Sequence, residues 1–196
     1  MIKLIASDID GTLVENSTAV LHPEMFDLIR KLKQKGILFC AASGRQYQSI
    51  ANMFEPVKDD IIFLAENGAH IRYQGNDIAL VEMKREHIEE IVHTIRRENT
   101  DGDYIVSTND GSIMDTKNQE FIDLITYGYR NKFRLVEDVL AEDVPIIKVA
   151  AFQKGSIREL GESILIPAFS DKVKATMAGE EWVDYMDASV DKGDAL

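Results

Sequence analysis

The sequence predicts an α/β protein: a parallel, Rossmann-like sheet interrupted by an inserted α+β segment. Apolar runs at 2–7, 37–42 and 61–65 have strand length, alternate with helical periodicity, and each ends in a polar loop. After residue 68 that alternation gives way to paired strand signals around turn dipeptides. With 196 residues, 45% of them apolar, the chain has material for two domains, each with its own core.

The first run leads straight into Asp8-Ile9-Asp10-Gly11-Thr12, where acidic residues and glycine stop the apolar pattern. Next, Met25, Leu28, Ile29 and Leu32 recur at i, i+3, i+4 and i+7, with Pro23 just inside the start and Gly36 just past Lys35. That spacing predicts an amphipathic helix with a defined stop. The second run ends in Ser43-Gly44-Arg45 and is followed by a helical segment to about Phe54; the third ends in Glu66-Asn67-Gly68. Strand, helix, strand, helix, strand argues for right-handed crossovers and a parallel sheet, whose ligands bind beyond the carboxyl ends of the strands. Asp8, Ser43 and Asn67 are therefore expected on one rim.

Residues 70–73 and 78–81 flank Gln74-Gly75-Asn76-Asp77, which is a hairpin signal. Ile88, Ile91, Val92 and Ile95 mark a helix, and 104–108 with 112–114 flank Asn109-Asp110-Gly111 as a second hairpin. A helix carrying Phe121, Leu124 and Ile125 follows, then a strand at 145–152. Ser156 with Glu159 makes a capping-box signature before a short helix around Leu160. Strands at 173–177 and 182–186 around Gly179 complete the segment. Two such units in succession predict an inserted α+β domain at 83–188, with 1–82 and 189–196 forming the parallel domain. His87 and His93 fall on different helix faces, not at zinc-helix spacing, and are read as surface residues; Trp182 is expected to pack the insert.

Asp and Glu outnumber Lys and Arg by 34 to 22, and a net charge of −12 repels polyanions, so neither nucleic acid nor an anionic membrane surface is an expected partner. A small anionic substrate remains admissible, because a bound cation and a locally positive pocket overrule the distant field. Cys40, the single cysteine, lies in an apolar run, which excludes a disulfide framework and a thiolate metal site and fits a cytoplasmic protein. No apolar stretch reaches membrane-spanning length, and the N-terminal one is too short for a signal peptide.

Asp8 and Asp10, two apart at the end of a buried strand, repel each other, and a divalent cation with oxygen ligands relieves that repulsion. The pair reads as a hard-metal site. The whole stretch Asp8-Ile9-Asp10-Gly11-Thr12-Leu13 resembles the signature of the haloacid dehalogenase superfamily of phosphatases and phosphotransferases. Ser43-Gly44-Arg45 resembles its second motif and Asp191-Lys192-Gly193 its third. Glu66-Asn67-Gly68-Ala69, with an insert of this position and size, resembles the Cof-like branch, whose cap is a large α/β domain.

The resemblance implies a three-layer Rossmann-like core with 83–188 as its cap, and a Mg²⁺-dependent phosphatase acting on small phosphorylated metabolites. Asp8 would attack phosphorus and form an aspartyl-phosphate, and Asp10 would act as general acid and then base. Both would contact the metal. Gly11 and Thr12 would surround the phosphoryl oxygens, Ser43 and Gly44 would add to that cradle, and Lys192 would hold the nucleophile and balance the phosphoryl charge. Arg45 and Asn67 are candidate substrate contacts. Taken singly, Ser43-Gly44 reads equally as a helix cap, Lys192 as a solvated lysine and Asn67-Gly68 as a turn.

The family's fourth motif, of the form Gly-Asp-x-x-Asn-Asp, is expected a few tens of residues beyond the third, whereas residue 196 lies four past Lys192. Gly102-Asp103 with Asn109-Asp110 precedes Lys192 and reads as hairpin chemistry. The expectation is a truncated chain whose core is incomplete at its C-terminal end. Its first strand is then an edge that seeks a partner, as in a homodimer. A phosphomutase sharing the Asp8 chemistry and a non-catalytic phosphometabolite-binding protein are the alternative readings.

Overall fold

The computed structural model describes residues 2–14 and 20–196. The chain divides into two compact units, Met1–Leu80 with Asp191–Leu196, and Val81–Val190.

In the first unit β1 (Leu4–Asp8), α1 (Glu24–Gln34), β2 (Leu38–Ala42), α2 (Tyr47–Met53) and β3 (Ile61–Ala65) alternate. β1 pairs with β2 and β2 with β3, all parallel, as the alternation of runs and helices requires. The register sets Asp8 opposite Ala42 and Ala42 opposite Leu64, so the loops that follow the three strands leave the sheet at one level. An antiparallel hairpin of β4 (His70–Tyr73) and β5 (Asn76–Leu80) extends the sheet beyond β3. Its turn residues Gln74 and Gly75 both have positive φ, 51° and 77°, the backbone that a two-residue hairpin loop demands. Pro23 immediately precedes α1, and Gly36, at φ 72°, follows its C-cap Lys35. Ile29 on α1 is buried against Phe39, Ile50, Phe54 and Phe63. Cys40 is buried too, and burial pushes its thiol up to about 11, so it stays protonated and inert. β1 lies at one edge of the described sheet, with Leu4 and Ile5 36% and 37% exposed.

The second unit contains α3 (Arg85–Glu98), β6 (Asp103–Thr108), β7 (Gly111–Met114), α4 (Gln119–Asp123), β8 (Phe133–Leu135), β9 (Ile146–Phe152), α5 (Arg158–Leu160), β10 (Val173–Met177) and β11 (Trp182–Asp187). Its strands order as β10-β11-β9-β6-β7-β8, antiparallel except for β7 with β8. α3 buries Ile88, Ile91, Val92 and Ile95 on one face of this sheet, among Val149, Val183 and Tyr185. On the other face α4 buries Phe121, with Ile125 just beyond it, against Ile105, Met114 and Phe152. Trp182 packs there as expected, 4.8 Å from the Phe152 ring, and donates from Nε1 to Tyr129 Oη at 2.9 Å. Lys148 and Asp184 form a nearly buried ion pair at 3.6 Å.

Two local expectations are corrected, and one strand is new. The capping box at Ser156 and Glu159 does not form: α5 starts at Arg158 with Ile157 as its N-cap, one residue later than the box requires, and Ser156 Oγ instead accepts from the Arg158 N–H at 3.2 Å. His93 is exposed, but His87 flanks the apolar stripe of α3 and its side chain is only 14% exposed. β8 has no counterpart in the sequence reading, because three residues are too few to show a period; the bond from Ser112 N to Lys132 O docks it beside β7. Among the described residues no helix is long and apolar enough to cross a membrane.

Candidate active site

The loop after β1 is wound around one carbonyl. Ile9, fully buried, accepts at its oxygen from the N–H groups of Thr12, Leu13 and Val14 at 3.2, 2.8 and 3.1 Å, and Gly11 N–H donates to Val14 O at 2.9 Å. So tight a reversal needs the positive φ of Gly11, 77°, which an L side chain resists. The amides of Gly11 and Thr12, expected to face a phosphoryl group, are thus donated inside the loop, while Thr12 itself is exposed. Burying Ile9 turns its neighbours Asp8 and Asp10 outward, and both are exposed at the strand end.

Each acid meets one cation. Lys192 Nζ donates to Asp8 Oδ1 at 2.9 Å, joining positions 184 apart. Arg45 grips Asp10 with two parallel bonds, Nη2 to Oδ1 at 2.6 Å and Nε to Oδ2 at 3.0 Å, in the fork geometry that only a guanidinium offers. Arg45 is otherwise held by a contact from Nη1 to Met53 Sδ at 3.7 Å, so the residue expected to meet substrate is engaged with the second acid of the pair.

Ser43, directly after β2, is 1% exposed; its Oγ accepts from Arg45 N–H at 3.1 Å, which is the turn-forming role open to any serine there. The loop after β3 is a 3₁₀ turn, Glu66–Gly68, in which Glu66 and Asn67 carry positive φ of 49° and 57°. It is tied to the loop after β2 by Glu66 N–H to Arg45 O and Asn67 N–H to Ser43 O, both 3.0 Å. Gly44 faces the Asn67 side chain so closely that a Cβ on it would lie 3.0 Å from Oδ1. Direct bonds or contacts thus join Asp8 to Lys192, and separately Asp10, Arg45, Ser43, Asn67 and Gly44, within the first unit.

The sequence reading missed two features. Glu66 is 1% exposed although its flanking Asn-Gly signals only a turn. Gly68 touches the segment around Asp191, which no local pattern could announce.

Asp8 and Asp10 offer hard oxygen donors, and Asp8 is half exposed, so the set suits a cation such as Mg²⁺, which takes one or two carboxylates and completes its shell with water and substrate phosphate. Among the described residues no three His, Cys, Asp or Glu side chains are grouped to hold an ion by themselves.

The family model described as haloacid dehalogenase-like hydrolase matches residues 5–196. A 5-amino-6-(5-phospho-D-ribitylamino)uracil phosphatase of Escherichia coli is 32% identical over 97 residues, covering 49% of this chain and 36% of that protein. A phosphatase of the same description from Bacillus subtilis is 32% identical over 90 residues, or 46% and 35% of the two chains. The chain thus spans little more than a third of the length of these curated relatives. A solved structure from Eubacterium rectale superposes with a TM-score of 0.88 at 32% identity, covering all of this chain and 74% of the other. One from Thermotoga maritima, at 22% identity and TM-score 0.81, shares the fold.

Proposed function

This chain belongs to the haloacid dehalogenase-like hydrolases, and from that premise we propose that it carries the phosphoryl-transfer residues of a phosphatase for small phosphomonoesters. The observation that carries the reading is the bond from Lys192 Nζ to Asp8 Oδ1, which sets a cation on one oxygen of an exposed carboxylate at a strand end. A carboxylate so held is oriented as a nucleophile, and the ammonium remains beside it to offset the charge of an incoming phosphoryl group.

In the proposed reaction an Asp8 oxygen bonds to phosphorus while the bond from phosphorus to the leaving oxygen breaks, and Asp10 supplies that oxygen with a proton. Water then attacks phosphorus, Asp10 takes its proton, and the bond from phosphorus to Asp8 breaks to release phosphate. Both Asp10 oxygens accept from Arg45, so the fork opens at one oxygen before Asp10 presents a proton. The Asp8 carboxylate and the Asp10 main-chain carbonyl would hold Mg²⁺, which when bound supplies Lewis-acid stabilisation of the phosphoryl charge.

The names of the relatives, phosphatases of a phosphorylated ribityl compound, support a phosphorylated metabolite of similar size as the substrate. The test is release of inorganic phosphate from p-nitrophenyl phosphate and a panel of sugar and ribityl phosphates, with and without Mg²⁺. Hydrolysis that requires Mg²⁺ and is lost in Asp8→Asn supports the proposal. Equal rates for the two proteins overturn it, and a phosphate transferred within the substrate without release marks a mutase.

A further inference from the structure

We infer that Gly68 is a positioning residue for phosphoryl transfer: it is the seat on which the Asp191 turn rests, and through that seat it places Lys192 over Asp8. What Lys192 does rests on the phosphatase reading; where it stands does not.

The seat is tight. Gly68 has φ of 105°, and a Cβ built on it would lie 2.9 Å from Asp191 O and 3.0 Å from Ala195 Cβ. The nearer obstacle is backbone, so no side-chain rotation relieves it. Each side is held by its own bonds. The Glu66–Gly68 turn is bonded to Arg45 O and Ser43 O, and Asn67 is backed by Gly44, where a Cβ would already meet Asn67 Oδ1 at 3.0 Å. On the other side, Asp191 organises a closed turn: its carbonyl accepts from Ala195 N–H at 3.1 Å and its Oδ1 from Gly193 N–H at 2.8 Å. Ala195 packs against the cluster of Cys40, Ala42 and Leu64. The carbonyl that rests on Gly68 is thus the anchor of the turn from which Lys192 reaches Asp8.

A methyl group at position 68 must displace Asp191, and Lys192, the next residue, moves with it. The four-carbon stem of lysine absorbs part of that shift, so the expected loss is on the order of tenfold in kcat, not complete, since misplacement by a fraction of an ångström already lowers rates. Gly36 provides the contrast: its φ is 72° but nothing lies within 4 Å of its virtual Cβ, so Gly36→Ala strains a positive-φ backbone with no neighbour to push.

The test is a cycle of Gly68→Ala, Lys192→Ala and the double variant, with kcat for p-nitrophenyl phosphate and thermal unfolding measured for each. Gly68→Ala should lower kcat about tenfold alone and add nothing once Lys192 is gone, whereas Gly36→Ala lowers the unfolding midpoint and leaves kcat unchanged. Wild-type kcat in Gly68→Ala, or the same loss in both backgrounds, overturns the inference while leaving the phosphatase reading intact. Should Gly68→Ala fail to fold, Ala195→Val crowds the same seat without straining Gly68 and is expected to lower kcat in parallel; wild-type turnover in that variant overturns the inference. If the wild-type chain shows no turnover, the phosphatase reading fails and crystallography decides placement alone. Retention of the Lys192–Asp8 bond in Gly68→Ala then refutes the seat, and its loss supports it.

Discussion

Two arginines in this chain meet carboxylates in opposite ways. In the insert, Arg96 bonds Asp115 and Asp138 at 2.6 Å each and Tyr104 at 3.0 Å. The acceptors are bound again by their surroundings, Asp115 by Tyr104 and the Val139 N–H, Asp138 by the Leu140 N–H. That network ties α3 to β6 and to the segment after β8, with Asp115 12% and Asp138 47% exposed. In the first unit, Arg45 and Asp10 bond each other at the mouth of a strand-end loop, with Asp10 nearly half exposed. The same charge-assisted chemistry locks structure when one cation bonds several acceptors that are themselves tied to neighbouring elements. It leaves a switchable pair when a single acid meets a single cation, for exposure alone does not separate Asp10 from Asp138.

The contrast breaks first at Asp10. Asp10→Asn should lower kcat for a phosphomonoester by about 10²–10⁴-fold, the usual share of a general acid–base group, with the thermal midpoint unchanged. A loss of stability with kcat retained would assign the rim pair to structure instead. Arg96→Ala should do the reverse. It leaves the largely buried Asp115 without its cation and lowers unfolding free energy by about 1–3 kcal/mol in urea titration, with turnover per folded molecule kept. Arg45→Lys keeps the charge but loses the fork. An order-of-magnitude fall in kcat, about 1.4 kcal/mol in barrier, is expected, and no fall would mean that charge alone suffices.

The smallest effect concerns pH. The Arg96 guanidinium, followed by the Leu140 N–H, holds the Asp138 carboxyl below its ordinary value of 3.8. A lowered carboxyl contributes stability that is present above the unfolded value and is lost as pH falls through the folded one. Wild type should therefore lose more stability than Asp138→Asn between roughly pH 5 and pH 3, as read by unfolding midpoints. Parallel curves would place Asp138 outside the network.

Much of the fold was legible because its signals are local. Apolar runs of strand length, the Pro23 and Gly36 limits of α1, and turn residues such as Gln74-Gly75 act over a few positions, and β3, β4 and β10 lie at the residues expected. Signals that needed an environment were lost. The capping box lost its register to a helix start one residue later, with Ile157 as N-cap, and the side chain of His87 is only 14% exposed, which its own spacing does not show.

The candidate site divides along the same line. The sequence by itself determined which groups stand at the strand ends, Asp8 at the end of β1 with Asp10 just beyond, Ser43 after β2 and Asn67 after β3, because an apolar run that stops at a polar residue is a local event. Only the tertiary structure decided their partners. Arg45 reaches Asp10 across 35 positions and Lys192 reaches Asp8 across 184, while Gly68 carries the carbonyl that steers Lys192. Parallel register and backbone close approach make those contacts, and neither leaves a period or a spacing in the chain from which it could be read.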